Sequence, residues 1–328
     1  MINQDIYLDL KLFDENVEKI SMRDGFSEGL VLAGVEDKNL VVVCADLIKS
    51  IKITEFAKQF PDRVIEVGVA EQNLVTVASG VASCGKNVFA ASYAIFSPGR
   101  NWEQIRTTIC INNQPVKIVG SHAGITTGPD GATHQALEDM ALMRVLPNMI
   151  VLSPCDSLQT KKATLAMAKL DRPCYIRFPR SEVPVITIEE TPFEIGKANI
   201  FKEGKNVSII ATGEMVYYAL LAAKELELNN ISVRVINMHT IKPLDTKIVL
   251  QTAEETGAIV TVEDHQIAGG LGSAISEAIS QNFPVPIKMI GVQDRFGESG
   301  TPEELLEKYD LTVTEIIKAT TSVLRNKS

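Results

Sequence analysis

From residue 24 onward, apolar runs of strand length alternate with stretches of helical spacing. The runs are NLVVVCADL, RVIEVGVA, NVFAASYAIF, PVKIVGSHAG, PNMIVLSP and PCYIRFPR; between them lie EQNLVTVASGVASCG, NWEQIRTTICINN, ALEDMALMRVL and SLQTKKATLAMAKL. Near-continuous apolar strands separated by helices predict a mostly parallel sheet with both faces covered. A second series begins at VSIIATG. It proceeds through EMVYYALLAAKELELNN, ISVRVINM, TKIVLQTAEETG and AIVTVEDH to the glycine-rich helix start IAGGLGSAISEAISQNF. Between the two, SEVPVITIEETPFEIGKANIFKEGKN carries prolines and no helical period, so it reads as a linker with short extended pieces. The prediction is an α/β protein of two successive domains, each with a mostly parallel sheet covered by helices: residues 1–184, a linker at 185–195, and 196–328.

In open parallel sheets, ligands gather beyond the carboxyl ends of the strands. Asp46 to Ser50 follow VVVCA, Glu71 follows VIEVGVA, and His122 follows VKIVGS. The stretch SHAGITTGPDGATHQALED holds two of the chain's four histidines, and its glycines let the backbone wrap a ligand closely. His122 is expected at the strand end and His134 at the start of the helix HQALEDMALMRVL, with both imidazoles at one mouth. There they could bind hydroxyls and phosphate or move protons near neutral pH; two surface-loop histidines without a role fit the spacing equally well. Glu71 at a helix start is explained by the favourable field of a helix N-terminus, or by a nitrogenous ligand that it holds.

The turn GGLGSA at 269–274 is a lone match to a phosphate-binding glycine turn, and close helix packing explains it better. His239 and His265 read as structural, and DEN, KIS and RDG near the start as a solvated helix face.

Composition narrows the function further. At 45% hydrophobic and 22% charged residues the chain is an ordinary folded protein. A net charge of −9 without any Lys/Arg run disfavours nucleic acid as a partner. The first twenty residues lack the basic start and unbroken apolar core of a signal peptide, and no run suits a membrane span, so the cytoplasm is the expected compartment. Five cysteines, Cys44, Cys84, Cys110, Cys155 and Cys174, contain no C-x-x-C pair, and four lie in or beside apolar runs. They read as buried small hydrophobes in a reducing compartment, with no metal site.

Taken together, VGVAEQN, SYAIFSPGRNWEQIR, SHAGITTGPDGATHQALEDMALMRVLPNM and DRFGESG resemble the C-terminal section of transketolase over about residues 12–325. The resemblance implies a pyrimidine-binding domain followed by the transketolase C-terminal domain, thiamine diphosphate as cofactor, and transfer of two-carbon ketol units between sugar phosphates in pentose phosphate and related carbohydrate metabolism. It assigns Glu71 to the carboxyl that hydrogen-bonds N1′ of the aminopyrimidine, and Tyr93 and Phe96 to the aromatics enclosing that ring. Asp46 matches a buried acid near the cofactor and the subunit contact. His134 matches the histidine beside the reacting carbons, a proton donor or acceptor as the ketose C2–C3 bond breaks and re-forms. His122, Arg23, Ser50 and Arg180 match positions that hold the distal phosphate, and Asp130 the acid that reads a sugar hydroxyl.

The family's diphosphate and Mg²⁺ site needs a glycine-Asp-glycine turn followed further on by asparagine, and no GDG occurs in this chain. The resemblance therefore implies half an enzyme: a separate N-terminal subunit carries the Mg²⁺ ligands and the diphosphate site, and this chain self-associates into a dimer core within a heterotetramer. Two other thiamine enzymes share parts of the pattern, deoxyxylulose-phosphate synthase and the β subunit of 2-oxo acid dehydrogenases; a histidine at 122, where the synthase pattern has arginine, favours transketolase. A non-catalytic regulatory or scaffold subunit is the remaining alternative, and Glu71 with both loop histidines speaks against it.

Overall fold

A computed structural model describes residue 3 and residues 7–327. Met1, Ile2, residues 4–6 of the N-terminal stretch read above, and Ser328 lie outside the described residues.

The first half runs β1 (Lys19–Ser21), α1 (Met22–Glu36), β2 (Leu40–Cys44), α2 (Thr54–Gln59), β3 (Val64–Glu66), α3 (Glu71–Ser83) and β4 (Asn87–Tyr93). It continues with α4 (Trp102–Gln104), β5 (Val116–Ser121), α5 (Asp139–Arg144), β6 (Ile150–Leu152), α6 (Ser157–Ala168), β7 (Cys174–Phe178) and β8 (Glu182–Pro184). The second half runs β9 (Asn199–Lys202), β10 (Val207–Ala211), α7 (Met215–Leu228), β11 (Val233–Asn237), β12 (Thr240–Lys242) and α8 (Thr246–Thr256). Then come β13 (Ile259–Gln266), α9 (Leu271–Asn282), β14 (Ile287–Val292), α10 (Pro302–Lys308) and α11 (Val313–Arg325).

A seven-stranded sheet is ordered β12-β6-β7-β5-β4-β2-β3 and a five-stranded sheet β14-β13-β10-β11-β9. Both are parallel except for one antiparallel edge strand each, β12 on the first and β9 on the second. Every residue of β2, β5, β7, β10 and β11 is buried, which is why these strands read as unbroken apolar runs rather than alternating ones. β12 belongs to the second half by sequence but completes the first sheet, so the two halves are stitched into one body. One hydrophobic cluster accordingly joins Val88, Ile118 and Val151 of the first sheet to Ile210, Ile236 and Ile259 of the second.

Three local expectations need correction. The helix after the histidine loop begins at Asp139, so His134 sits in a turn well before it. Residues 136 and 137 are used otherwise: the Ala136 carbonyl accepts from Gly124 N–H at 2.9 Å and the Leu137 carbonyl from Gln266 N–H at 2.9 Å, which keeps that backbone out of a helix. NWEQIRTTICINN forms only the short α4 before its ladder widens into a π-helical segment, Ile105–Cys110. DEN lies in a turn and KIS is β1, which pairs antiparallel with β8; only RDG belongs to a helix, at the start of α1.

Cys44, Cys110, Cys155 and Cys174 are buried and free, and Cys84 is exposed. Among the described residues no helix is long and apolar enough to cross a membrane.

Candidate active site

Glu71 is the first residue of α3, placed there by the short link from β3, and its side chain is only 3% exposed. Ser92 Oγ at the end of β4 donates to Oε1 at 3.4 Å, and Arg100 Nη1 donates to Oε2 at 3.0 Å. The Glu71 backbone carbonyl accepts from Asn101 Nδ2 at 2.8 Å, which ties α3 to the turn after β4. The carboxylate opens on a cleft of about 820 Å³ that Val69, Gln72, Arg100 and Gln104 also line.

From this cleft a row of rings leads to the histidine loop. The Arg100 guanidinium lies 4.1 Å from the Phe96 ring centroid, Phe96 meets His134 edge-on at 5.3 Å, and Tyr93 stacks on His122 at 3.9 Å. Tyr93 and Phe96 are themselves stacked at 6.0 Å. The tertiary structure thus brings Glu71, Phe96, Tyr93, His134 and His122, from three separate stretches of chain, into one continuous surface. Thr133 Oγ1 sits 2.9 Å from His134 Nδ1 and orients that half-buried imidazole.

His122 is buried, with Ser121 Oγ 2.8 Å from its Nδ1. Burial first, and then the positive charges of Arg23, Arg180 and His134, push its pKa down to about 3. It therefore stays neutral at physiological pH and offers a hydrogen bond rather than a charge. Its backbone has φ 58°, an uncommon conformation for a residue with a side chain, held by Thr127 Oγ1 donating to the His122 carbonyl at 2.8 Å.

Arg23 and Arg180 supply the charge beside it. Arg23 donates to the carbonyls of Ser50 at 3.0 Å and Arg180 at 2.9 Å, and Arg180 pairs with Asp130 at 3.1 Å. With Thr126, Thr127, Pro129, Ser181 and Pro302, the two arginines line a depression of about 200 Å³, suited to an anionic group. Ser50 takes part through its backbone carbonyl. Asp46 departs from expectation: it is exposed on the chain rather than buried. It follows β2 at φ 58°, and its N–H donates to the Glu66 carboxylate at 2.6 Å, which turns the segment outward.

The second half buttresses the loop. Asp264 of β13 accepts the Ile125 N–H on both oxygens, at 2.9 and 3.0 Å, and a Cβ at Gly124 would lie 2.0 Å from its Oδ2. With φ 82° as well, position 124 admits only glycine. Burial and the neighbouring Asp264 charge raise Glu214 to about 8, so this buried pair of acids retains a proton. Gln135 Nε2 donates to the Ile125, Gly128 and Glu298 carbonyls, which docks the DRFGESG segment under the loop.

The other glycine turn holds no ligand space. Glu263 accepts the N–H groups of Leu271 at 2.7 Å and Gly272 at 2.8 Å, so the chain's own carboxylate fills the N-terminus of α9. Packing is thus the role of those glycines. His239 and His265 are fully buried; burial lowers them to about 3 and about 4. His265 Nδ1 lies 2.7 Å from the Gln266 carbonyl, and Phe193 packs on His239 at 4.4 Å.

Sequence reasoning missed Arg100, Ser92, Glu214, Glu263 and Asp264. Arg100 had a signal, since it follows Phe96 by four residues, the spacing at which one helical turn brings side chains together. Glu214 and Asp264 had none, because their partners Thr126 and Ile125 are distant in sequence.

A buried carboxyl beside an aromatic face fits an aminopyrimidine, which needs a hydrogen-bonding partner for its ring nitrogen and a flat surface for its ring. Among the described residues no group of three or more histidine, cysteine, aspartate or glutamate side chains is placed to hold a metal ion.

Two α/β domains joined by a shared sheet, with a carboxyl, an aromatic pair and two histidines brought to one surface, have the make-up of a cofactor enzyme of the thiamine type. Comparison with known proteins agrees. The model of the transketolase pyrimidine-binding domain matches residues 18–185, and that of the transketolase C-terminal domain matches residues 196–316. The chain belongs to the transketolase family. A Methanocaldococcus jannaschii protein named as a transketolase C-terminal section is 45% identical, over 90% of this chain and 94% of its own. A 6-deoxy-6-sulfo-D-fructose transketolase subunit from Clostridium sp. (strain MSTE9) is 40% identical, over 96% of this chain and 98% of its own. A solved split-gene transketolase, described as an inactive beta4 tetramer, superposes with a TM-score of 0.89 at 46% identity, covering 94% of this chain and 100% of that one.

Proposed function

We propose that this chain is the C-terminal subunit of a split thiamine-diphosphate-dependent transketolase, transferring a two-carbon ketol unit from a ketose phosphate to an aldose or aldose phosphate. The single observation that carries this reading is the shared surface on which the buried Glu71 carboxyl and His134 lie to either side of Phe96.

When bound, the cofactor supplies the nucleophile that attacks the ketose carbonyl and takes up the electrons of the broken C–C bond. Glu71 holds the proton shared with the pyrimidine ring nitrogen, and Phe96 with Tyr93 fixes the ring plane. His134, half-buried at the mouth, moves a proton at the sugar hydroxyl next to the scissile bond. His122, neutral, hydrogen-bonds the sugar, and Asp130 reads a hydroxyl further along. Arg23 and Arg180, with Ser50 beside them, hold the distal phosphate; xylulose 5-phosphate is the default donor. Asp46, exposed on the lone chain, lies where a second subunit covers it and the cofactor.

The split form is supported by the match over 94% and 98% of the length of relatives named as a transketolase section and a transketolase subunit. A partner N-terminal subunit carries the Mg²⁺ and diphosphate site. Two copies of each chain form a heterotetramer, built on self-association of this subunit, as the beta4 assembly of the structural relative suggests.

The test is ketol transfer by this chain mixed with its partner, thiamine diphosphate and Mg²⁺, across a panel of ketose phosphates. Glu71→Ala is expected to lower kcat by about a hundredfold or more. An unchanged rate in that variant would make the chain a scaffold.

A further inference from the structure

We infer that Arg100 is a displaceable plug of the pyrimidine seat: its guanidinium occupies both contacts that the cofactor ring needs, and must swing out when that ring arrives. This rests on the reading of Glu71 and Phe96 given above.

One face of Phe96 is covered by the Arg100 guanidinium at 4.1 Å, and one oxygen of Glu71 is taken by Arg100 Nη1 at 3.0 Å. A guanidinium is a flat group that stacks on an aromatic face and donates N–H to a carboxylate. An aminopyrimidine seated on Phe96 and bonded to Glu71 makes demands of the same kind on the same atoms, so the two cannot be in place together. The anchor and the plug differ in freedom. The Glu71 side chain is 3% exposed and the Arg100 side chain 53%, so the acid stays while the cation can leave into solvent. The turn that carries Arg100 is fixed, since Asn101 Nδ2 bonds both the Glu71 carbonyl at 2.8 Å and Ser97 Oγ at 3.1 Å. Motion is thereby confined to the long side chain, which makes no other side-chain hydrogen bond among the described residues.

The plug has two consequences. Without a cofactor it pairs a buried carboxylate whose remaining side-chain partner, Ser92, stands at 3.4 Å. With a cofactor it competes, and the apparent affinity falls by the fraction of chains in which the seat is open.

The experiment compares the complete chain, assembled with its partner subunit, with Arg100→Ala and Arg100→Lys. Thiamine diphosphate binding in Mg²⁺ is followed by calorimetry and by fluorescence of the chain's single tryptophan, Trp102, two positions from Arg100. If the plug is closed in about nine chains of ten, Arg100→Ala binds the cofactor about tenfold more tightly. The lysine variant, which pairs with Glu71 but stacks poorly, falls between. The unliganded Arg100→Ala chain melts a few degrees lower, by roughly what the loss of a partly buried ion pair predicts, and regains that loss when cofactor is added. Unchanged or weaker binding by a folded Arg100→Ala overturns the plug. Glu71→Gln separates the two ideas: if it binds the cofactor and turns over as the parent does, the seat itself is misassigned. If it loses turnover while Arg100→Ala gains no affinity, only the plug fails.

Discussion

The loop after β5 and the turn after β13 are built alike: each leaves a parallel strand at its carboxyl end, carries closely spaced glycines, and has a buried histidine nearby. In the first, the chain leaves the cradle to a visitor. Arg23 and Arg180 line a depression there with Thr126, Thr127 and Pro129, and their charges, with that of His134, act on the neighbouring His122. In the second, Glu263 enters the cradle and takes the α9 N–H groups itself. Glycine spacing therefore reports where backbone comes close to something, and the identity of that something depends on what the rest of the fold delivers.

The sharpest way to break this contrast is His134→Ala, which changes a half-buried loop residue. Turnover of the assembled enzyme is expected to drop by about a hundredfold or more, the usual worth of a positioned proton carrier, with the thermal midpoint nearly unchanged. Parent-like kcat would remove His134 from the chemistry and leave the two loops without a functional difference.

Gly270→Ala tests the filled cradle. Its new Cβ would stand 1.9 Å from Glu263 Oε2, inside van der Waals contact, and the Glu263 carboxylate has no free direction to move. Urea unfolding should show a loss of about 2–3 kcal/mol, while kcat per folded molecule is kept. A variant as stable as the parent would mean that the turn has unused room.

A smaller effect comes from His265. Its folded pKa is about 4 against an ordinary 6.5, with burial as the cause. Between those values the unfolded chain binds a proton that the folded chain refuses, so stability is lost as pH falls from 6.5 towards 4, by at most about 1.4 kcal/mol per pH unit. Glu263, raised to about 8 by burial, acts in the opposite sense, its contribution falling as pH rises towards 8. Thermal melts from pH 7 to 4.5 should show a shallower acid limb in His265→Gln than in the parent. Equal slopes would exclude His265 from the acid response.

Much of the site was legible because its chemistry travels with short motifs. AEQN and YAIF carry Glu71 and the aromatic pair within a few residues of a strand end, where a parallel sheet exposes side chains to ligands, and DGATHQ carries His134 further along the loop after β5. The position of His134 in a turn was not legible, since residues 136 and 137 leave the helical pattern only to pair with Gly124 and Gln266. Nor was the outward-facing Asp46, which depends on Glu66 of the neighbouring strand.

By itself the sequence determined the two α/β domains and their mostly parallel sheets, because strands buried on both faces leave unbroken apolar runs along the chain. Only the tertiary structure decided that β12 crosses back to finish the first sheet, that Asp264 and Gln135 hold the histidine loop, that Glu263 closes the second glycine turn, and that Arg100 lies across Glu71 and Phe96. These are contacts between groups far apart in sequence, or between side chains whose meeting depends on packing; no local period encodes them, because each is selected by the geometry of the whole fold.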